Sequence, residues 1–264
     1  MPLKIIHTKA DWQAHRPTRT LGFVPTMGAL HAGHIALVQQ ALAENTHVIT
    51  SIYVNPTQFD NAEDLAKYPA TFDEDCALLE AAGCEFVFAP TYATLYPDRY
   101  RVRVMETEIS QTLEGAHRPG HFNGMLTVVL KLLNFIGADA AYFGEKDFQQ
   151  LTLVRDMVAA LHHPTRIVAC PTVREADGLA MSSRNRRLDA TQRKLAAQWS
   201  QILADVTQTC AQVKAKLEAL GFKVDYVEEC WGRRLGAVHV PAQVGQNSIR
   251  LIDNVALPYR MKPK

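Results

Sequence analysis

The stretch LGFVPTMGALHAGHIALVQQAL, residues 21–42, decides the fold. Leu21–Pro25 is a short apolar run and reads as a strand. It runs into a loop, Thr26–Gly33, in which Gly28 and Gly33 permit close backbone approach. Ile35, Leu37, Val38, Ala41 and Leu42 then recur at helical spacing, so a helix begins around His34. Strand, glycine-punctuated loop and helix in that order open a βαβ unit. The helix start presents unpaired N–H groups and a positive dipole end, which suit phosphate.

Working outward, the alternation continues. His47–Asn55 is nearly all apolar or β-branched, as a strand buried on both faces should be. A helix is expected over Asp73–Ala82, ending at Gly83. A strand follows at Cys84–Ala89, an apolar helix at Met125–Ile136 and a strand at Ala140–Gly144. Phe148–Leu161 then reads as a helix and Thr165–Val173 as a strand. Alternation of this kind predicts right-handed crossovers and a parallel sheet. The character changes near Arg174, where READGLAMSSRNRRLDA carries four arginines and few large apolar residues. Beyond it lie helical patterns at Thr191–Val206 and Cys210–Leu220, then strand-like Lys223–Val227, Ala237–Val240 and Ile249–Ile252. The expected architecture is α/β: a Rossmann-like doubly wound parallel sheet over residues 1–174, then a linker-like stretch leading into a small C-terminal α/β domain over 175–264.

Composition removes several classes of function. The 264 residues hold 28 Lys+Arg against 27 Asp+Glu, a net charge of +1. That argues against a nucleic-acid coat or a polybasic membrane anchor. Hydrophobic residues at 47% and charged residues at 21% exclude disorder over most of the chain. The most apolar stretch, Gly124–Phe143, is broken by Lys131, Asn134 and Asp139, so no membrane span is expected. The start, MPLKIIHTKADW, has too short an apolar core for a signal peptide. Five cysteines (Cys76, Cys84, Cys170, Cys210, Cys230) with no CxxC pair suit free thiols in the cytoplasm.

Four segments could carry chemistry. In PTMGALHAGH, His31 and His34 are three apart and can share one face of an opening helical turn. Two imidazoles there can donate to phosphoryl oxygens as charge builds. The alternatives are a zinc pair, for which His117 and His121 are the nearest further candidates, or two incidental surface histidines. In YFGEKDFQQ, Glu145, Lys146 and Asp147 stand at the carboxyl end of a strand, where doubly wound sheets bind ligands. Lys146 could hold a phosphate there, and an ordinary solvated helix start reads equally well. AMSSRNRR sets two hydroxyls beside several guanidiniums, as an anion-binding loop or a flexible linker would. In SIYVNPTQF, Gln58 could read a small polar substrate, as could Gln150, one helical turn after Lys146. Either glutamine could instead be structural.

Taken together, PTMGALHAGH, YVNPTQF, YPATFDED, LEGAHRPGHFNG, FGEKDFQQL and VREADGLAMSSRN closely resemble the pantoate–β-alanine ligase (pantothenate synthetase) family, in that family's order and spacing. The resemblance runs from Leu21 to about Asp189. HxGH alone is shared by many nucleotidylyltransferases, whereas its combination with NPxQF, GEKDxQQ and DGLAMSSRN is specific. The resemblance implies an ATP-dependent condensation of pantoate with β-alanine through pantoyl adenylate, with Mg2+ on the triphosphate and a homodimeric enzyme. It implies that Met27, Gly28, Ala29, Leu30, His31, Ala32, Gly33 and His34 line the ATP site, with His34 catalytic and His31 supporting the phosphates. Gly144, Glu145, Lys146 and Asp147 would meet the nucleotide, with Lys146 on its phosphates. Val173 would lie against adenine, and Met181, Ser182, Ser183 and Arg184 would form the phosphate loop. Gln58 and Gln150 would hold pantoate, with Gln58 also bordering β-alanine.

The sequence departs from the family in three places. Ala32 stands where Glu or Asp is usual, and Thr57 where Met is usual. The region after Asp189 is shorter and only loosely similar, although RLIDN, Arg250–Asn254, resembles the family's ending. Two other functions compete with the ligase: a different HxGH nucleotidylyltransferase, which would ignore pantoate, and a silent nucleotide-binding module.

Overall fold

The computed structural model describes residues 2–59, 65–66, 68–241 and 248–258. Its first sheet has six strands: β1 (Lys4–Ile6), β2 (Leu21–Thr26), β3 (His47–Ile52), β4 (Phe86–Phe88), β5 (Ala140–Gly144) and β6 (Arg166–Cys170). They run in the order β1-β4-β3-β2-β5-β6, and every pair is parallel. The chain winds outward from β2 through β3 to β4, then returns to β5 on the other side of β2. The topological switch point therefore lies between β2 and β5, and the loops leaving their carboxyl ends start at Met27 and Glu145.

Strands β2 and β3 are buried on both faces, which accounts for their unbroken apolar and β-branched runs. They pair in register from Leu21 opposite His47 to Thr26 opposite Ile52. The helices α1 (Lys9–His15), α2 (Ala32–Glu44), α3 (Phe72–Ala81), α4 (His121–Ile136) and α5 (Phe148–Ala160) connect them. Helix α2 inserts Leu37, Val38 and Ala41 into a core shared with Val24, Val48, Leu79 and Val87. Helix α4 starts four residues before the expected Met125, where Gly120 takes left-handed backbone, and ends as expected at Ile136 before a left-handed Gly137. Strand β1 carries only three residues and one buried side chain, Ile6, too short a pattern to read from sequence.

The remaining strands, β7 (Lys223–Cys230), β8 (Arg233–Val240) and β9 (Ile249–Ala256), form a separate antiparallel sheet. Trp231 and Gly232 join β7 to β8 with φ of 51° and 70°, the two-residue turn that matches strand twist. Helices α6 (Ala190–Ala204) and α7 (Cys210–Ala219) cover this sheet with Trp199, Leu203, Val213 and Leu217. Both begin with a reciprocal side-chain cap, Asp189 with Gln192 and Thr209 with Gln212.

The chain separates into two compact units. The first is Met1–Glu145 with Gln149–Pro171; the second is Lys146–Phe148 with Thr172–Lys264. The second unit thus takes in the Arg174–Arg187 stretch, which the composition reads as a linker, and also Lys146. No helix among the described residues is long and apolar enough to cross a membrane.

Candidate active site

In the first unit the loop after β2 is built by three devices. Thr26 donates its hydroxyl to the Ser51 carbonyl at 2.6 Å and accepts the Gly28 N–H at 3.2 Å. Gly28 and Ala29 both take positive φ, 82° and 51°, which turns the chain sharply. A side chain at Gly28 would also meet the Asp75 carboxylate at 2.9 Å, so glycine is required twice over. Asp75, on α3 and 2% exposed, accepts the N–H groups of Ala29 at 2.9 Å and Leu30 at 2.7 Å and the Thr71 hydroxyl at 3.0 Å.

The loop delivers the two histidines to the start of α2 as a reciprocal cap. His31 Nδ1 accepts the Gly33 N–H at 3.1 Å, and His34 Nδ1 accepts the His31 N–H at 3.3 Å. The helix therefore starts at Ala32, two residues before the sequence-based expectation, with His31 as its cap. The rings lie 4.1 Å apart with an interplanar angle of 36°. A ring nitrogen that accepts cannot carry the proton, so in each neutral imidazole Nε2 is the donor. Two N–H donors stand side by side at a helix start, as stabilising charge on a phosphoryl group requires.

The Asn55–Gln58 turn is fastened beside this loop. The Gln58 carboxamide is buried; its Nε2 donates to Met27 Sδ at 3.2 Å and its Oε1 accepts from Asn55 Nδ2 at 3.0 Å. Asn55 also accepts from Tyr96 Oη at 2.8 Å and Thr57 Oγ1 at 3.1 Å. Thr57 thus adds a hydroxyl to this network. Burial pushes the Tyr96 phenol up to about 12, so it remains a donor to Asn55. His121 Nδ1 meets the Gln58 carbonyl at 2.8 Å, and Arg118 donates to it at 3.4 Å. Helix α4 presses on the turn at Gly124, where a methyl would overlap the Thr57 carbonyl.

The two glutamines after Lys146 divide their duties. Gln149 is buried and serves the 109–114 segment, accepting from the Glu114 N–H and donating to the carbonyls of Ile109 and Thr112. Gln150 is half-buried. Gly144 ends β5, and Glu145, Lys146 and Asp147 form the 3-10 turn that follows.

The second unit gathers the cationic residues. Residues 174–180 fold back as a small hairpin in which Arg174 bridges to Ala180, and the Met181 N–H reaches the Val173 carbonyl at 3.0 Å. Ser182 caps the turn Ser183–Arg187 by accepting the Arg184 N–H at 3.3 Å. Asn185 ties that turn to Glu175 at 2.7 Å and to the Ala180 carbonyl at 3.0 Å. The stretch is thereby a folded part of the unit. Lys146, Ser182, Arg184, Asn185 and Arg250 line one small pocket. Lys146 Nζ lies 3.8 Å from the Asp147 carboxylate.

Asp75, Asn55 and Arg250 have no assigned role in the sequence reading, and His121 enters it only as a further candidate beside a zinc pair. Asp75 stands in the quoted YPATFDED and Asn55 in NPTQF, so motif membership was the only available signal. Among the described residues no group of three His, Cys, Asp or Glu could hold a metal ion. All five cysteines are free.

The family model described as pantoate-beta-alanine ligase matches residues 4–256. A pantothenate synthetase of Bdellovibrio bacteriovorus is 48% identical over 256 residues, covering 96% of this chain and 99% of that protein. One of Legionella pneumophila (strain Corby) is 45% identical over 259 residues, covering 97% and 100%. The solved pantoate-beta-alanine ligase of Francisella tularensis, complexed with beta-gamma ATP and beta-alanine, superposes with a TM-score of 0.88 at 38% identity, covering 96% of this chain and 97% of that one. The solved pantothenate synthetase of Thermus thermophilus gives 0.87 at 40% identity, covering 97% and 100%. Matches of this extent take in the paired histidines, the buried Gln58 turn and the Lys146–Arg184 pocket alike, and the chain belongs to the pantoate–β-alanine ligase family.

Proposed function

We propose that the protein condenses pantoate with β-alanine at the expense of ATP, through pantoyl adenylate. The carboxylate oxygen of pantoate attacks the α-phosphorus, the bond to the β-phosphate breaks, and pyrophosphate leaves. The amine of β-alanine then attacks the acyl carbon, AMP departs with the bonding electrons, and the ammonium proton is lost to form the amide. A carboxylate is already a nucleophile at neutral pH, so the protein's work is alignment and charge stabilisation.

The observation that carries this reading is the reciprocal cap of His31 and His34, in which both Nδ1 atoms accept backbone N–H groups, so that each neutral imidazole carries its proton on Nε2. On this reading His34 meets the α-phosphoryl oxygens and His31 supports the phosphates. Lys146, Ser182, Ser183 and Arg184 hold the leaving pyrophosphate, and the pocket shared by Lys146, Ser182 and Arg184 supports that grouping. Met27 to Gly33 and Gly144 to Asp147 line the nucleotide, with Val173 at adenine and Met181 in the phosphate loop. Gln58 and Gln150 hold pantoate, and the burial of Gln58 supports a site that penalises any carboxamide left without a partner.

Mg2+ enters as part of MgATP, where one or two carboxylates and the phosphates themselves suffice as ligands. It neutralises charge on the triphosphate. The enzyme works in the cytoplasm as a homodimer, without nucleic-acid or membrane partners. Val102 and Met105, exposed at 71% and 65%, support a face that a second copy covers.

Exchange of labelled pyrophosphate into ATP tests the first step. It is expected with pantoate and Mg2+ present and β-alanine absent, and it is expected to vanish without pantoate. Gln58→Ala and Gln150→Ala are each expected to weaken pantoate binding by about 1–3 kcal/mol and ATP binding much less. Exchange that ignores pantoate would instead identify a simple nucleotidylyltransferase.

A further inference from the structure

The RLIDN ending, Arg250–Asn254, has no part in the chemistry above, yet its last residue holds the backbone of Lys146. We propose that Asn254 is a positioning residue for Lys146, an inference that rests on the reading of Lys146 as a phosphate ligand. Asn254 is 2% exposed, on strand β9. Its Nδ2 donates to the Lys146 carbonyl at 2.9 Å, across 108 residues of sequence. Its Oδ1 accepts from Arg233 Nε, which settles the direction in which the carboxamide faces. The Arg233 guanidinium in turn lies 4.6 Å from the centroid of Phe148, two residues beyond Lys146. The short segment bearing the lysine is therefore held at its carbonyl and at its neighbouring ring.

The backbone of Asn254 is fixed as firmly. Its N–H donates to Asp253 Oδ1 at 2.7 Å, and its carbonyl accepts from Arg174 Nη2 at 3.2 Å. Asp253 has a fully buried carboxylate that meets both Arg174 Nη atoms, at 2.7 and 2.9 Å, and Ser200 Oγ at 3.0 Å. Arg174 also donates to the Gly178 carbonyl at 3.0 Å, in the hairpin that leads to Ser182–Arg184. One dipeptide, Asp253-Asn254, thus sets the lysine segment and the base of the phosphate loop in a common frame. A lysine is a flexible point charge on a four-carbon stem, so where its ammonium can reach depends on where its backbone is fixed. Asparagine suits the post because it offers a donor on one side and an acceptor on the other. Aspartate would set an oxygen against the Lys146 carbonyl, and alanine would hold neither partner.

The test is a double-mutant cycle read by pantoate-dependent pyrophosphate exchange. Asn254→Asp and Asn254→Ala are each made in the wild-type enzyme and in Lys146→Ala. Expected in the wild-type background is a loss in kcat of about tenfold, with the pantoate KM changed less than about twofold. In the Lys146→Ala background the same substitutions are expected to change kcat less than about twofold, because the residue through which Asn254 acts is gone. A purely structural role would give the same loss in both backgrounds, and additive losses would overturn the proposal, as would an unchanged kcat. Asn254→Asp keeps the side-chain size and the acceptor for Arg233, so it provides folded protein should the alanine variant fail. Arg233→Gln, which removes the bond that orients the carboxamide, runs the same cycle should both fail. A wild-type enzyme without exchange would overturn the ligase reading and this one with it. Wild-type exchange with additive losses overturns this one alone.

Discussion

Replacing Asp75 with Asn tests how the loop before the histidines is held. Its two carboxylate oxygens take three donors: the N–H groups of Ala29 and Leu30 and the Thr71 hydroxyl, all within 3.0 Å. A carboxamide has one oxygen, so its NH2 group must face one of the two backbone N–H groups. One buried donor then loses its partner, and the others lose the help of the charge, for a total of about 2–4 kcal/mol. That lowers Tm by roughly 5–10 °C. The same change frees Ala29 from one of the contacts that hold its positive φ, so the loop relaxes and the histidine pair shifts from the position that the proposed mechanism requires. A fall in kcat of about tenfold or more is expected. Thermal denaturation followed by circular dichroism and pyrophosphate exchange measure the two effects separately. Asp75→Glu keeps the charge but adds a methylene behind a carboxylate already in hydrogen-bond contact with the loop at 2.9 and 2.7 Å, so it should also be defective. A Tm within about one degree of wild type and a kcat within about twofold for Asp75→Asn would refute the account.

Three further outcomes are expected. Gly124→Ala should destabilise the protein by about 3 kcal/mol or more in chemical denaturation, although alanine favours helices, because its methyl overlaps the Thr57 carbonyl; an unchanged midpoint would contradict that packing. His34→Ala and Lys146→Ala should each cut kcat by about 10²–10³-fold with unchanged circular dichroism, the size expected for one lost charge-stabilising donor; near-wild-type turnover removes the residue from the mechanism. All five thiols should react slowly with a disulfide reagent at pH 7–8, because burial is the leading cause raising each of them, Cys170 and Cys230 to about 11. A raised thiol is neutral below its shifted value, so reactivity should keep climbing as pH rises toward 11, and single Cys→Ser changes should leave activity intact; a thiol as fast as free cysteine would count against this.

The central part of this molecule was legible in sequence because its determinants are local. The strand Leu21–Thr26, the glycine loop and the helix starting at Ala32 are consecutive, and the strand's apolar run and the helix's 3.6-residue spacing show which side chains the core takes. The paired histidines and the buried Gln58 were legible for a related reason: each belongs to a short motif whose residues act on neighbours two or three positions away. Element boundaries shifted where a cap or a left-handed glycine, and not the apolar pattern, set the start, as at His31 and Gly120, whereas the end at Gly137 fell where the sequence put it.

What only the tertiary structure decided are the partners that come from far along the chain. Asp75 reaches Leu30 across 45 residues, Asn55 reaches Gly124 across 69, and Asn254 reaches Lys146 across 108. No periodicity encodes such pairs. The strand order β1-β4-β3-β2-β5-β6 gathers distant loops within the first unit, and the fold around β7-β8-β9 does the same within the second. The same cause moved Lys146 from the first unit, where its strand lies, to the second, where its hydrogen bond and its pocket lie. A chain pattern reports which residues are neighbours along a strand or helix. Which carboxylate sits under a loop, and which amide grips a lysine's carbonyl, is settled by buried polar groups finding partners once the sheets have formed.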